Sequence, residues 1–331
     1  MPYAIGVDLG GTTTKAALVR DDGTIVQSDQ DDTPAENGPE AVLDVIAGLA
    51  ERVSASLPEG ENIGGIGVGC PGSVSLDRRV VRRPPNLSGW EDVELPDALG
   101  QRLASSVTDA MEEDAVILAE NDANCAALGS AFWGAGQPHS SFVMITLGTG
   151  VGGAIIHENR LFRGATGAAG EIGHMTIDYE GPYARSGVAG ALEAYLGHKY
   201  LTRHARYQLL TRPTCLHAMT EAELADLDPI TLHRAATAGD RGALEFFQWA
   251  GHKLGAALGA IVNLLDIRTF VVGGGVSAAG DVLLDPVRET VGRYVTPALR
   301  DGITVLRETQ GNAVAVQGAA RLVFEHAEDH A

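Results

Sequence analysis

An α/β fold is expected for this 331-residue chain from three observations. Short apolar strands alternate with segments of helical period along its length, the pattern of a sheet covered by helices. An apolar strand, a glycine–threonine turn and a second apolar strand occur twice, as AIGVDLGGTTTKAALV near the start and VMITLGTGVGGAII at 143–156; a shift of 138 residues places Leu9 on Leu147, Gly10 on Gly148 and Ala16 on Ala154. Glycine is abundant, at 42 residues, while aromatic residues make up 5%, which favours tight turns and close approach of backbone to a neighbour or a ligand. The repeat implies a duplicated unit with a cleft between its copies.

Taken in order, AIGVDL and TTKAALVR read as two strands joined by the first glycine turn, and the turn signal DDG leads into a third strand at TIVQSD. Val42, Val45, Ile46, Leu49 and Val53 mark one face of a helix that ends before Pro58. IGGIGVGCPG is a short apolar strand entering a Gly-Pro loop, VSLDRRVVRRPPNL a hairpin with an extended arm, and ELPDALGQRLASSV a helix. AVILAEN is a strand that ends on polar residues and is followed by a small-residue helix. Beyond the second repeat, helical segments are expected at 188–208, 229–239, 242–266, 282–293 and 312–325, with strands at TFVVGGGV and ITVLRE. The helix at 242–266 carries Gly255, Ala256, Gly259 and Ala260, which suit close packing either inside its lobe or at a dimer interface.

Composition excludes several function classes. With 43 acidic and 24 basic residues the formal charge is −19, which argues against nucleic acid as a partner. Lysine occurs only at positions 15, 199 and 253; a salt-adapted surface and GC-rich codon usage explain this equally well. The three cysteines, Cys70, Cys125 and Cys215, form no C-x-x-C pair, so a disulfide framework and an all-cysteine zinc site are excluded. The chain opens directly on a strand, and its longest uncharged apolar stretch, Leu254 to Leu265, is too short to span a bilayer. A soluble, cytoplasmic protein with no membrane partner is expected.

Five segments carry candidate chemistry. Asp8, Gly10, Gly11, Thr12 and Thr13 place an acid at a strand end before a turn whose amides and hydroxyls suit an anion; the alternative is a plain hairpin turn. Thr149 and Gly150 lie in the equivalent turn of the second repeat, with the same two readings. Gly274 and Gly275 follow a strand and precede a helix, so they either receive a nucleoside against bare backbone or simply turn the chain. Asn121 and Asp122 end a strand, where a carboxylate can accept a proton from a substrate hydroxyl; otherwise Asp122 is a helix N-cap. Glu171 and His174, with Glu193 further on, offer acceptors and donors for a polyol among glycines, or form a solvated loop. Arg78, Arg79, Arg82 and Arg83 form the one basic cluster, either a solvated hairpin edge or a contact for a product phosphate.

Together DLGGT at 8–12, GVGCPG at 67–72, PNL at 85–87, ENDAN at 120–124, GTGVGG at 148–153, the GEIGH stretch ending at His174 and GGGVS at 273–277 resemble the ROK family of sugar kinases and repressors, and within it the glucokinase-like kinases. The resemblance runs over nearly the whole chain in one order. It implies a hexokinase/actin-like fold of two ribonuclease-H-like lobes, here 1–125 and 126–311, with a terminal helix at 312–331 crossing back to the first lobe. It implies ATP and Mg²⁺, with phosphate turns at Gly10–Thr13 and Thr149–Gly150 and an adenosine motif at Gly274 and Gly275. The sugar site then falls on Asn86, Asn121, Asp122, Glu171, His174 and Glu193, with Asp122 as catalytic base and Asp8 facing the Mg²⁺-phosphate group through water. A homodimer is expected on the same ground.

The sequence departs from the family at its zinc segment. The three cysteine positions are Ala184, Ser186 and Ala191, while Glu193 remains. Zinc needs four good ligands in a structural site, so no structural zinc is expected. The resemblance favours transfer of the ATP γ-phosphoryl group to a hexose 6-hydroxyl, glucose first. Mannose, N-acetylhexosamines, fructose or inositol are the alternatives, as is a sugar-responsive regulator without its DNA-binding domain. The charge of −19 and a first phosphate strand near Met1 count against a regulator.

Overall fold

Strands β1 (Tyr3–Leu9) and β2 (Thr13–Arg20) pair antiparallel, with Leu9 opposite Thr14 across the glycine turn. Strand β3 (Ile25–Asp32) extends the sheet beyond β2. After helix α1 (Gly38–Ser54), β4 (Ile63–Cys70) lies parallel to β1. A small sheet of β5 (Ser73–Val74), β6 (Val80–Arg82) and β7 (Asp92–Glu94) follows. Short helices α2 (Leu95–Gly100) and α3 (Ser105–Thr108) lead to β8 (Met111–Asn121), which is parallel to β4 and runs directly into α4 (Asp122–Trp133). The first sheet has the order β3-β2-β1-β4-β8. This computed structural model describes residues 2–219 and 227–330.

The second sheet repeats that order with new strands. It comprises β9 (Phe142–Leu147), β10 (Val151–His157), β11 (Arg160–Leu161), β12 (Thr269–Gly273) and β13 (Thr304–Arg307), arranged β11-β10-β9-β12-β13. Strand β12 is parallel to both β9 and β13, as β4 is to β1 and β8. Between β11 and β12 lie α5 (Glu193–Leu196), α6 (His198–Leu209), α7 (Pro229–Thr237) and α8 (Arg241–Leu265); α9 (Asp281–Val291) precedes β13. Helix α10 (Ala313–His330) follows β13. The chain divides into two compact units, one of 1–140, 155–170 and 310–331, the other of 141–154 and 171–309.

In the first unit, strand alternation sorts the two faces of the sheet. Ile5, Val7 and Leu9 pack with Val42, Ile46 and Leu49 of α1. Ala4, on the opposite face, packs with Val316, Ala320, Val323 and Phe324 of α10. That second face is lined with glycine because the helix backbone comes very close. A Cβ added at Gly67 would lie 1.8 Å from the Ala319 carbonyl oxygen, and one at Gly6 would lie 2.0 Å from that of Val316. Gly129 of α4 and Gly318 of α10 make the same kind of approach, to Val314 and Cys125.

In the second unit, the small residues of α8 face α9 and the residues just after it. Added Cβ atoms at Gly251, Gly255 and Gly259 would meet Pro286, Thr290 and Tyr294. The small-residue face is therefore used inside the unit. Among the described residues no helix is long and apolar enough to cross a membrane.

Two local expectations fail. The helix expected over ELPDALGQRLASSV is broken into α2 and α3, because Ala104 between them is extended, at φ −64° and ψ 151°; Arg102 in the same break pairs with Asp44 of α1 at 3.1 Å and with Glu40. Residues 188–192 are not helical. Ala189 and Ala191 form bridges with Tyr183 and Thr176, and Gly190, at φ 60°, packs so closely that a Cβ would lie 1.6 Å from the Asp178 carbonyl oxygen.

Candidate active site

In the first unit the parallel strands end in register. Asp8 lies opposite Gly69, Gly69 opposite Glu120, and Cys70 opposite Asn121, so an acid, a thiol and an amide line the carboxyl edge of β1, β4 and β8. This edge is where α/β sheets place their ligands. Burial, with the nearby carboxylates of Asp122, Glu120 and Asp8, pushes the Cys70 thiol up and keeps it protonated. Asn121, rather than Asp122, caps α4: its Oδ1 accepts from Ala123 N at 2.9 Å and Asn124 N at 3.2 Å, and its Nδ2 donates to the Gly72 carbonyl at 3.0 Å. Asp122 is the first helical residue, and its Oδ1 accepts from Ala123 N at 2.8 Å.

The first glycine turn is closed by Gly10 N–H donating to Thr13 O at 3.1 Å, and Thr33 Oγ1 donates to Gly10 O at 2.8 Å. Gly11 and Thr12 are exposed at its tip. A Cβ on Gly11 would lie 3.2 Å from Asn86 Cβ, so the turn and the PNL segment meet here. Lys15 stands opposite Asp8 across the hairpin.

Burial raises the Asp8 carboxyl above its ordinary value of 3.8, and the Lys15 charge opposes the rise. A raised folded-state value means that the fold holds this proton more tightly than the unfolded chain does. The stability Asp8 contributes is therefore greatest below pH 3.8 and falls as pH rises through the raised value. Asp8→Asn should raise the apparent Tm at neutral pH by about 2 °C, a gain that shrinks as pH falls toward 4. An unchanged or lower Tm in neutral-pH calorimetry would contradict the buried-charge reading.

In the second unit the equivalent turn is tied to the GEIGH and Glu193 segments. Gly148 N–H donates to Gly150 O at 3.0 Å, and His198 N–H donates to Gly148 O at 3.0 Å. Glu193 Oε2 accepts from Val151 N at 3.1 Å, and a Cβ on Gly150 would lie 2.4 Å from that oxygen. Gly173 packs on the Val151 carbonyl, where a Cβ would come within 1.9 Å. The expected phosphate residues Thr149 and Gly150 thus converge with Glu171, His174 and Glu193. Gly274, at φ 81°, packs on the backbone of Leu147 at the end of β9, with a Cβ position 2.4 Å from its carbonyl oxygen. Gly275 faces open space, a bare-backbone surface next to the second glycine turn. Ser277 closes this turn by donating to Gly274 O at 2.7 Å.

The segment that holds zinc in the resembled family has different chemistry here. Ala184 and Ala191 are buried and have no donor atom, and Ser186 Oγ lies 3.3 Å from His174 Nδ1, so the residues do not fit a tetrahedral zinc site. His174 Nε2 lies 3.7 Å from Glu171 Oε2. Among the described residues no group of three or more His, Cys, Asp or Glu side chains is placed to hold a metal ion. The loop is fastened by side chains the sequence did not single out. Tyr195 Oη donates to Asp178 Oδ2 at 2.9 Å, while Lys253 Nζ lies 3.7 Å from the same oxygen and 4.3 Å from the Tyr195 ring centroid. Burial and the Asp178 carboxylate push the Tyr195 phenol up to about 12. The scarcity of lysine was the available signal: two of the three, Lys15 and Lys253, sit beside buried or half-buried carboxylates.

Comparison with known proteins matches the ROK family over residues 4–326. The chain is 33% identical to a glucokinase of Thermotoga maritima, covering 97% of each protein, and 34% identical to a glucokinase of Halalkalibacterium halodurans, covering 97% of this chain and 94% of that one. A solved structure of a ROK family glucokinase from Streptomyces griseus, in complex with glucose and AMPPNP, superposes with a TM-score of 0.81 at 32% identity, over 98% of this chain and 99% of that one. The duplicated sheet order is that of the hexokinase/actin-like fold implied by the motifs. Motifs, strand order and whole-length similarity agree, and the chain belongs to the ROK family.

Proposed function

We propose that this protein transfers the γ-phosphoryl group of ATP to the 6-hydroxyl of glucose. The observation that carries the reading is Asp122: a carboxylate at the end of β8 and the start of α4, at the same sheet edge as Asp8 and the Gly10–Thr13 turn. The relatives that support it are glucokinases over their whole length. Asn86, Asn121, Glu171, His174 and Glu193 bind and orient the sugar through its hydroxyls. Asp122 accepts the proton of the attacking hydroxyl as its oxygen bonds to phosphorus. The amides and hydroxyls of the turns at 10–13 and 149–150 stabilise phosphate charge, and Gly274 and Gly275 receive the nucleoside.

Asp8 is a single carboxylate rather than a cage. That fits Mg²⁺, which keeps several waters and is bound through one or two carboxylates plus substrate phosphates. Bound in this way, Mg²⁺ would neutralise phosphate charge. Sugar-dependent ADP release, measured across hexoses and inositol, tests the proposal. Glucose should give the highest kcat/KM, and folded protein with no sugar-dependent turnover would refute it.

A further inference from the structure

Glu120 is a fully buried carboxylate that the reaction does not use, directly preceding Asn121 and Asp122. Its Oε1 accepts from Asn121 N–H at 2.9 Å and from Asn124 Nδ2 at 3.0 Å, so it grips both ends of the turn that presents Asp122. Its Oε2 lies 2.7 Å from Arg163 Nε and 3.5 Å from Arg78 Nε. Two guanidinium groups thus flank this buried oxygen. Arg163 is itself fixed, donating to the carbonyls of Leu76 at 2.6 Å and Ser75 at 2.9 Å. Arg78, which belongs to the basic cluster, points inward to Glu120 and to Glu325 of α10 at 3.4 Å. A cavity of about 340 Å³, lined by Arg78, Leu118, Arg163, Glu325 and His326, opens beside these guanidinium groups.

We infer that Arg163 and Glu120 are a buried positioning pair for the phosphoryl-transfer site. Arg163 holds Glu120 in place, and Glu120 sets the turn that aims Asn121 and Asp122. The inference rests on Asp122 being the base. Neither residue touches substrate; both act through the turn. A turn displaced by about 1 Å is enough to cost about 10²-fold in rate.

The test is kinetics of Arg163→Ala, with Asp122→Ala measured in parallel. Arg163→Ala should lower kcat about 10²-fold with KM for ATP unchanged. Millimolar guanidinium, entering the adjoining cavity, should restore much of the loss, whereas urea and sodium chloride should not. Wild-type kcat in Arg163→Ala, or a loss that guanidinium does not relieve, would overturn the pair. Should Arg163→Ala not fold, Glu120→Gln decides. It keeps one acceptor oxygen but loses the charge, and it should lower kcat with KM for ATP unchanged; wild-type kcat there also overturns the pair. Full turnover by Asp122→Ala would instead refute the base assignment.

Discussion

Asp122→Ala is expected to lower kcat for glucose phosphorylation by about 10³-fold, within the 10²–10⁴ that a general base supplies. The Kd for glucose, by calorimetry, should change by only a small factor. The physical reason lies in the local structure. Asn121 makes the N-cap bonds of α4 and reaches back to Gly72, so the turn is held without the Asp122 side chain. Removing that carboxylate therefore takes away the proton acceptor and leaves the sheet edge intact. Such a pattern, a loss in kcat without loss of sugar binding, separates transition-state chemistry from ground-state binding. Turnover equal to wild type would move the base to another residue.

Gly67→Ala is expected to destabilise the first unit strongly. The added methyl would stand 1.8 Å from the Ala319 carbonyl oxygen, a backbone atom of α10 that moves only if the helix moves. Overpacking of this kind costs about 3 kcal/mol or more, because sheet and helix must separate and lose apolar contact along their length. The variant should be insoluble or melt several degrees lower, at a size where about 1 kcal/mol shifts Tm by roughly 2–4 °C. Gly48→Ala, on α1, is the control: an added Cβ meets only the Arg52 guanidinium, at 3.7 Å, and should be neutral or slightly stabilising. Equal melting of wild type and Gly67→Ala would contradict the close seating of α10.

The sheets were legible because strand alternation is a local pattern and the two repeated strings can be compared directly, and the repeated strand order bears out the duplication. The glycine turns were legible for the same reason, since each is a short string next to a strand. The seating of α10 was not. Gly6, Gly67, Gly129 and Gly318 have no side chain to form a pattern, and they matter only once distant backbones meet. Arg163 was missed because its partners Ser75 and Leu76 are more than eighty positions away, and no local spacing signals such a contact. Arg78 was grouped with its charged neighbours in the hairpin, whereas Arg79 pairs outward with Glu94 and Asp97 while Arg78 turns inward to Glu120. The helix expected at 188–208 fails at its start, where Gly190 is held against Asp178 in a positive-φ turn that no local spacing signals.

The central claim is a phosphoryl transfer from ATP to one hydroxyl of glucose. Phosphorus NMR of the reaction of this protein with ATP, Mg²⁺ and glucose tests it most directly. The account predicts that ADP and a monophosphate coupled to the two C6 protons appear together in equal amounts, and that Asp122→Ala forms neither at a comparable rate. ADP appearing with inorganic phosphate alone, or phosphate on another carbon, would contradict it.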